Sequence, residues 1–218
     1  MARRGRRIVD DATVTRQLRR LQRARPDATC TLQHRNAWEL LVATILSAQC
    51  TDKLVNEVTP GLFARLPGPA DLAAATPELV ETLIKRINFW RTKGRNIVAT
   101  AKLVCERHGG EVPRDMAALV DLPGVARKTG NVVLGTAFGI PSGFVVDTHV
   151  ERVSHRLGFV DVEGPLKIEQ ALMERVPKKR WIKLASQLIL HGRQTCIARG
   201  PRCEACVLAP DCPSAEVG

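Results

Sequence analysis

Four cysteines close the chain, Cys196, Cys203, Cys206 and Cys212, in the spacing C-x6-C-x2-C-x5-C. Four thiols within 17 residues, with no secretory signal ahead of them, read as metal ligands rather than disulfide partners. The total of seven cysteines is odd, which also speaks against a disulfide framework. Four thiolates suit tetrahedral zinc or an iron–sulfur cluster. Structural zinc sites pair two short knuckles, whereas one short pair here is flanked by wider spacings. That larger loop suits a cubic cluster better than one small ion, although it is not the ferredoxin spacing.

A second set of residues lies mid-chain. Leu122-Pro123-Gly124-Val125 joins two short helical patterns and reads as a helix-hairpin-helix. Glycine permits the tight turn, and the backbone N–H groups there, with the positive end of the next helix, offer an anion site. A DNA phosphate is the natural anion, and such a contact reads no sequence. A tight turn without a ligand is the plainer reading of these four residues alone. Lys128 follows in the first turn of the second helix, an unfavourable place for a cation. A neutral amine there, all the more if buried, is a nucleophile that can form an imine; a surface lysine is the alternative. Asp147 follows an apolar run and opens another helix. It reads as an N-cap, and a cap carboxylate can also face a cleft. His149 reads as structural.

The surrounding pattern is helical almost throughout. Residues 13–24, 37–48, 53–65, 77–85, 93–107, 115–120, 125–138, 147–157, 165–176 and 181–191 read as helices. Residues 37–48 are apolar enough to be buried. Asp52 is expected to cap the helix at 53, and Thr76 the one that opens with Pro77. Residues 66–71, with two prolines and a glycine, read as loop, and 139–144 as a breaker. No alternating strand pattern occurs, so the expected class is all-α.

With 218 residues, 44% hydrophobic and 25% charged, the composition is that of a globular chain of one large or two small domains. No apolar run approaches the ~18–20 residues of a membrane helix, and no basic stretch carries an apolar aromatic face for a membrane surface. A net charge of +11 points to a polyanion. Three Trp, five Phe and no Tyr are too few for a single-strand stacking platform, so duplex binding through phosphates is favoured. Arg3, Arg4, Arg6 and Arg7 read as a solvated basic arm with no apolar signal region behind it.

Taken in order, residues 46–52 (LSAQCTD), 87–97 (INFWRTKGRNI), 122–139 (LPGVARKTGNVVLGTAFG), 146–153 (VDTHVERV) and 188–212 resemble the endonuclease III family, helix-hairpin-helix DNA glycosylases with an iron–sulfur cluster. The resemblance implies two helical domains flanking a DNA-binding groove. Residues 30–140 would form a six-helix domain with the hairpin, and residues 1–29 with 141–218 the cluster domain. It implies a [4Fe–4S] cluster on Cys196, Cys203, Cys206 and Cys212. The implied enzyme is a monomeric, cytoplasmic (nucleoid-associated, in a bacterium) base excision repair glycosylase and AP lyase. Its partner would be duplex DNA holding an oxidised pyrimidine or an abasic site. Lys128 would attack C1′ and form the Schiff base from which β-elimination cuts the strand, and Asp147 would stabilise the developing sugar cation. Such an enzyme must flip the nucleotide out of the stack. Gln49 would fill the vacated space, and Ile87 and Phe89 would form the opposing wedge. Gly124 and Ala126 would donate backbone N–H groups to phosphate, and Arg199 and Arg202 would reach the DNA backbone.

Four positions depart from the family pattern. Ala126 and Asn88 stand where glycine is usual, Phe89 is bulkier than a common leucine, and Cys50 replaces a small residue. A methyl group at 126 is expected to crowd the turn or the phosphate, and Asn88 to stiffen the wedge loop. The related adenine glycosylase is a poor match, because it lacks a lysine at the Lys128 position and carries a further C-terminal domain. A non-catalytic duplex-binding paralogue and a monofunctional glycosylase are the alternatives; nothing specific supports a redox-sensing cluster.

Overall fold

A computed structural model describes residues 7–216, so Arg3, Arg4 and Arg6 of the basic arm lie outside the described residues. Among those residues the chain forms eleven α-helices and two short 3-10 turns, with no strand. None of the helices is long and apolar enough to cross a membrane. The chain divides into two compact units, Cys30–Ser142 and a second made of Met1–Thr29 with Gly143–Gly218.

The unit Cys30–Ser142 holds α2 (Ala37–Ser47), α3 (Asp52–Arg65), α4 (Pro69–Ala74), α5 (Pro77–Leu83), α6 (Trp90–His108), α7 (Met116–Val120) and α8 (Arg127–Phe138). Every residue of α2 from Trp38 to Leu46 is buried. A helix apolar on all sides belongs at the centre of a unit, and α3, α6 and α8 pack around it. Its N-terminus is capped by Asn36, which accepts from Glu39 N at 2.9 Å. Three readings of the sequence need correction here. Residues 66–71 are not all loop, because Pro69 opens α4. A proline fits a first helical turn, and the Asp71 carboxylate accepts from Gly68 N at 2.9 Å. The resemblance implies six helices in this unit; α4 is the seventh. The cap of α3 is Thr51, accepting from Leu54 N at 3.3 Å, while Asp52 lies in the first turn, where a negative charge meets the positive helix end.

The other unit holds α1 (Asp11–Ala24), α9 (Thr148–Arg156), α10 (Pro165–Arg175), α11 (Trp181–Gln194) and the cysteine segment. Leu18 and Leu21 of α1 share a core with Val150, Val153, Leu172, Leu184 and Leu188. The first helix also grips both ends of the cysteine segment. Gln17, fully buried, donates from Nε2 to Leu157 O at 3.3 Å and Asp211 O at 2.8 Å. Arg16 and Arg20 pair with the Asp211 carboxylate at 3.0 and 3.3 Å. At the C-cap of the helix, Arg25 donates to Gln194 Oε1 at 2.6 Å and Thr195 Oγ1 at 2.9 Å. One helix far from the cysteines in sequence therefore fixes both ends of their segment.

Gln17→Ala strands two buried carbonyls and is expected to lower unfolding stability by about 1–3 kcal/mol. Urea denaturation reads that loss. Amide exchange at Asp211 and Cys212 is expected to quicken in the same variant, since Gln17 is what holds that turn to α1.

Candidate functional site

The hairpin is α7, the turn at 121–126, and α8. Asp115 caps α7, accepting from Ala118 N at 2.9 Å. Gly124 has φ +79, and a Cβ added there would lie 2.9 Å from Asn96 Nδ2, so both the backbone and the space demand glycine. The two helices meet where Gly130 faces Met116, whose sulfur would stand 2.6 Å from an added Cβ. Thr100 of α6 donates to Pro123 O at 2.9 Å and pins the turn from below. The backbone N–H groups of Gly124 and Ala126 find no protein acceptor among the described residues. Ala126 caps α8 with no side-chain bond, which leaves that helix end open. The expectation that a methyl group crowds the turn is corrected. Ala126 is exposed and sits at φ −90, ψ 167, extended backbone that any residue adopts.

Lys128 is the second residue of α8, and it is exposed. Its ammonium makes no hydrogen bond or ion pair among the described residues. Burial, one part of the reasoning from sequence, is therefore not a feature of this side chain.

Gln49 and Phe89 occupy two neighbouring loops of the same unit. They are the two non-glycine residues with left-handed backbone among the described residues, at φ +53 and +57. Both are exposed, Phe89 at 62%. Holding a side chain in that conformation costs on the order of 1–3 kcal/mol each, so the surroundings must enforce it. They do so through α6. Lys93 is 6% exposed and its Nζ donates to Leu46 O at 2.8 Å and Ala48 O at 2.6 Å. Asn88 Nδ2 donates to Gln49 O at 2.7 Å. Burial pushes the Lys93 ammonium below its ordinary pKa of 10.5, opposed by the nearby Cys50. Ile87 is a correction. At 1% exposure it belongs to the core of the unit, turned inward by the bond from its N to Ile84 O at 2.8 Å. Its side chain anchors the loop and is not available to a ligand.

In the other unit, Asp147 caps α9. Its Oδ1 accepts from His149 N at 2.9 Å and Val150 N at 2.8 Å, so both bonds fall on one oxygen and Oδ2 carries neither. From the same helix two arginines reach the cysteine segment. Arg152 donates to Cys196 O at 3.2 Å, Gly192 O at 2.8 Å and contacts His149 Nδ1 at 3.1 Å. Arg156 donates to Ile197 O at 2.7 Å, Ala198 O at 2.9 Å and Cys196 Sγ at 3.4 Å. Burial pushes His149 below its ordinary pKa, which suits the structural part read for it. Arg199 and Arg202 remain exposed on the loop, which closes through Arg202 N to Thr195 O at 3.0 Å.

Cys196, Cys203, Cys206 and Cys212 line one cavity, beside Arg156 and His191 and with no carboxylate in its wall. Burial pushes the Cys206 and Cys212 thiols up, and the neighbouring sulfurs push the same way. Ionising such a group of thiols needs a cationic core among them. No set of three or more His, Cys, Asp or Glu is arranged for a single metal ion among the described residues. The four thiols share that wall with Arg156, His191 and Thr195, a donor set that suits a centre held by thiolates.

Residues 42–178 match the family described as HhH-GPD superfamily base excision DNA repair protein, a stretch that takes in the Gln49 loop, the hairpin, Lys128 and Asp147. Fold and motif together thus define a helix-hairpin-helix protein of base excision DNA repair. The chain is 48% identical over 196 residues to endonuclease III of Synechocystis sp., 90% of each chain. It is 49% identical over 188 residues to endonuclease III of Bacillus subtilis, 86% of this chain and 85% of the relative. A solved structure of a trapped endonuclease III–DNA covalent intermediate matches with a TM-score of 0.90 at 43% identity, over 95% of this chain and 98% of that one. The chain belongs to the endonuclease III family and is a base excision repair DNA glycosylase and AP lyase.

Reasoning from sequence missed Lys93, Asn96 and Thr100. Their spacing of three and four is a polar stripe on one face of an otherwise packed helix, which was the available signal. Lys93→Met is expected to cost about 1–3 kcal/mol by stranding two carbonyls. Because the folded protein binds the Lys93 proton less tightly than the unfolded chain, stability gains from this group as pH rises through its folded pKa toward 10.5, and levels off above. Urea midpoints measured from about pH 7 to about pH 10 are expected to rise less steeply in the variant than in the wild type.

Proposed function

We propose that this enzyme removes oxidised pyrimidines from duplex DNA and cuts the strand through an imine on Lys128 Nζ. The observation that carries the reading is the unpartnered, exposed amine of Lys128, in the first turn of a helix whose preceding hairpin leaves two N–H groups without an acceptor. Gly124 N and Ala126 N hold a phosphate, which brings the damaged nucleotide within reach of the amine. The neutral amine attacks C1′, the glycosidic bond breaks, and the base leaves with its electron pair and takes up a proton. Loss of a proton from nitrogen and opening of the sugar ring give the protonated imine. Removal of a C2′ proton then sends electrons to C3′ and expels the 3′ phosphate, and water hydrolyses the imine to free the lysine. The solved relative that is a trapped endonuclease III–DNA covalent intermediate shows that a protein of this family joins to DNA. Asp147 Oδ2 serves the developing sugar cation, while Oδ1 stays committed to capping α9.

Around this chemistry, Gln49 and Phe89 enter the space left by the extruded nucleotide, and Arg199 and Arg202 bind the DNA backbone. Cys196, Cys203, Cys206 and Cys212 hold a [4Fe–4S] cluster. When bound, the cluster supplies four iron–sulfur bonds that fix the basic loop between its first two ligands. The enzyme works as a monomer on DNA in the cytoplasm, and at the nucleoid if the cell is a bacterium.

Borohydride trapping on duplexes holding one abasic site or one thymine glycol tests the imine. The wild type is expected to give a covalent band on both, and Lys128→Ala on neither. Asp147→Asn is expected to slow base removal by about a hundredfold or more. A wild-type band on the abasic duplex alone would sink the glycosylase half of the reading. The purified protein is expected to be yellow-brown with about four irons per chain, and Cys203→Ser to lose that colour. A colourless protein with one zinc per chain would overturn the cluster.

A further inference from the structure

Gln49 and Phe89 come from loops almost forty residues apart in sequence, and one side chain joins them. Asn88 Nδ2 donates to the carbonyl of Gln49 at 2.7 Å. Asn88 immediately precedes Phe89, and both strained residues have φ near +55. Lys93 already holds the carbonyls of Leu46 and Ala48, so the Asn88 bond completes a bracket on the turn after α2. Ile87, locked in the core, fixes the other side of Asn88. Asn88 itself is exposed and has no packing role of its own. Glycine at this position would supply neither the donor nor the restriction on the backbone.

We propose that Asn88 is a positioning residue that couples the Gln49 and Phe89 loops, so that both side chains enter the DNA as one unit rather than independently. This rests on the reading above that Gln49 and Phe89 occupy the space left by the flipped nucleotide. The bond joins a side chain of one loop to the backbone of the other, so it fixes the direction in which Gln49 leaves its turn. Its effect falls on the step that extrudes the nucleotide. A base already lost leaves less to extrude, so cleavage of a pre-formed abasic site depends on the bond less.

The test is a double-mutant cycle in the full-length holoenzyme, read as single-turnover rates on a thymine-glycol duplex and on an abasic duplex. Gln49→Ala and Phe89→Ala are each expected to slow thymine-glycol excision. Asn88→Ala is expected to slow it about fivefold, the worth of one hydrogen bond. The loss falls on the maximal rate rather than on half-saturation, and the thermal midpoint falls by no more than about 2–4 °C. Asn88→Asp, of the same size but with an acceptor facing an acceptor, is expected to lose at least as much. The Asn88→Ala and Gln49→Ala losses are expected not to add, and abasic cleavage to change less than excision. Additive losses, equal losses on both duplexes, or wild-type rates in both Asn88 variants overturn the coupling. If Gln49→Ala and Phe89→Ala themselves leave excision unchanged, the reading of the two loops fails first, and the coupling fails with it.

Discussion

The last turn of a helix leaves carbonyls that nothing in the helix can satisfy, and α2 is such a helix. Its last turn is closed by the ammonium of Lys93, delivered from α6 and bonded to Leu46 O and Ala48 O. Either partner alone would be expensive. An unpaired buried carbonyl costs on the order of 1–3 kcal/mol, and a desolvated ammonium without acceptors more. Together they are stable, and the cation also meets the negative end of the helix dipole. Seven residues further along α6, two helical turns away, Thr100 binds Pro123 O in the hairpin. One helix face therefore sets the position of the Gln49 turn and of the hairpin together.

The cysteine-bearing unit solves a similar problem with arginines. The helix α11 ends at Gln194, so the carbonyls from its last turn to Ala198 need partners from elsewhere. Arg152 and Arg156, one turn apart on α9, take four of them. The same helix begins at Asp147, whose carboxylate caps it. The Asp147 carboxylate and the cysteine loop thus hang on one short helix. His191 adds to the polar lining beside Cys206; burial, helped by the charge of Arg25, pushes its pKa down to about 4, so it is neutral there. Arg199 and Arg202 are left exposed because the neighbouring arginines do the structural bonding.

Strain and rigidity are matched across the Gln49 and Phe89 loops. Gln49 and Phe89 are held in backbone conformations that their side chains disfavour, and each is flanked by an anchored residue, Lys93 or Ile87. A pre-set loop loses less entropy when it enters DNA than a mobile one. The two proposed chemical groups follow another pattern, since each stands at the start of a helix. There backbone N–H groups attract anions and the first turn fixes the side chain's direction.

The sequence by itself determined what is local. Helical periods, the caps at Asp147 and Thr76, the glycine of the hairpin turn and the spacing of the four cysteines all depend on residues within a few positions, and they could be read directly. The likeness of five short segments to one family was legible for the same reason. Short-range rules misjudged Pro69, which opens α4 instead of belonging to a loop, because a proline both ends and begins helices. The wedge role that the resemblance implied for Ile87 failed for another reason: its turn points the side chain into the core. Only the tertiary structure decided which polar residues hold the site in place. Lys93, Asn88 and Thr100 reach carbonyls 47, 39 and 23 residues away, and Gln17 reaches one 194 residues away. Backbone carbonyls are chemically alike at every residue, so nothing in a sequence marks which one a distant side chain will find; packing of the helices makes that choice.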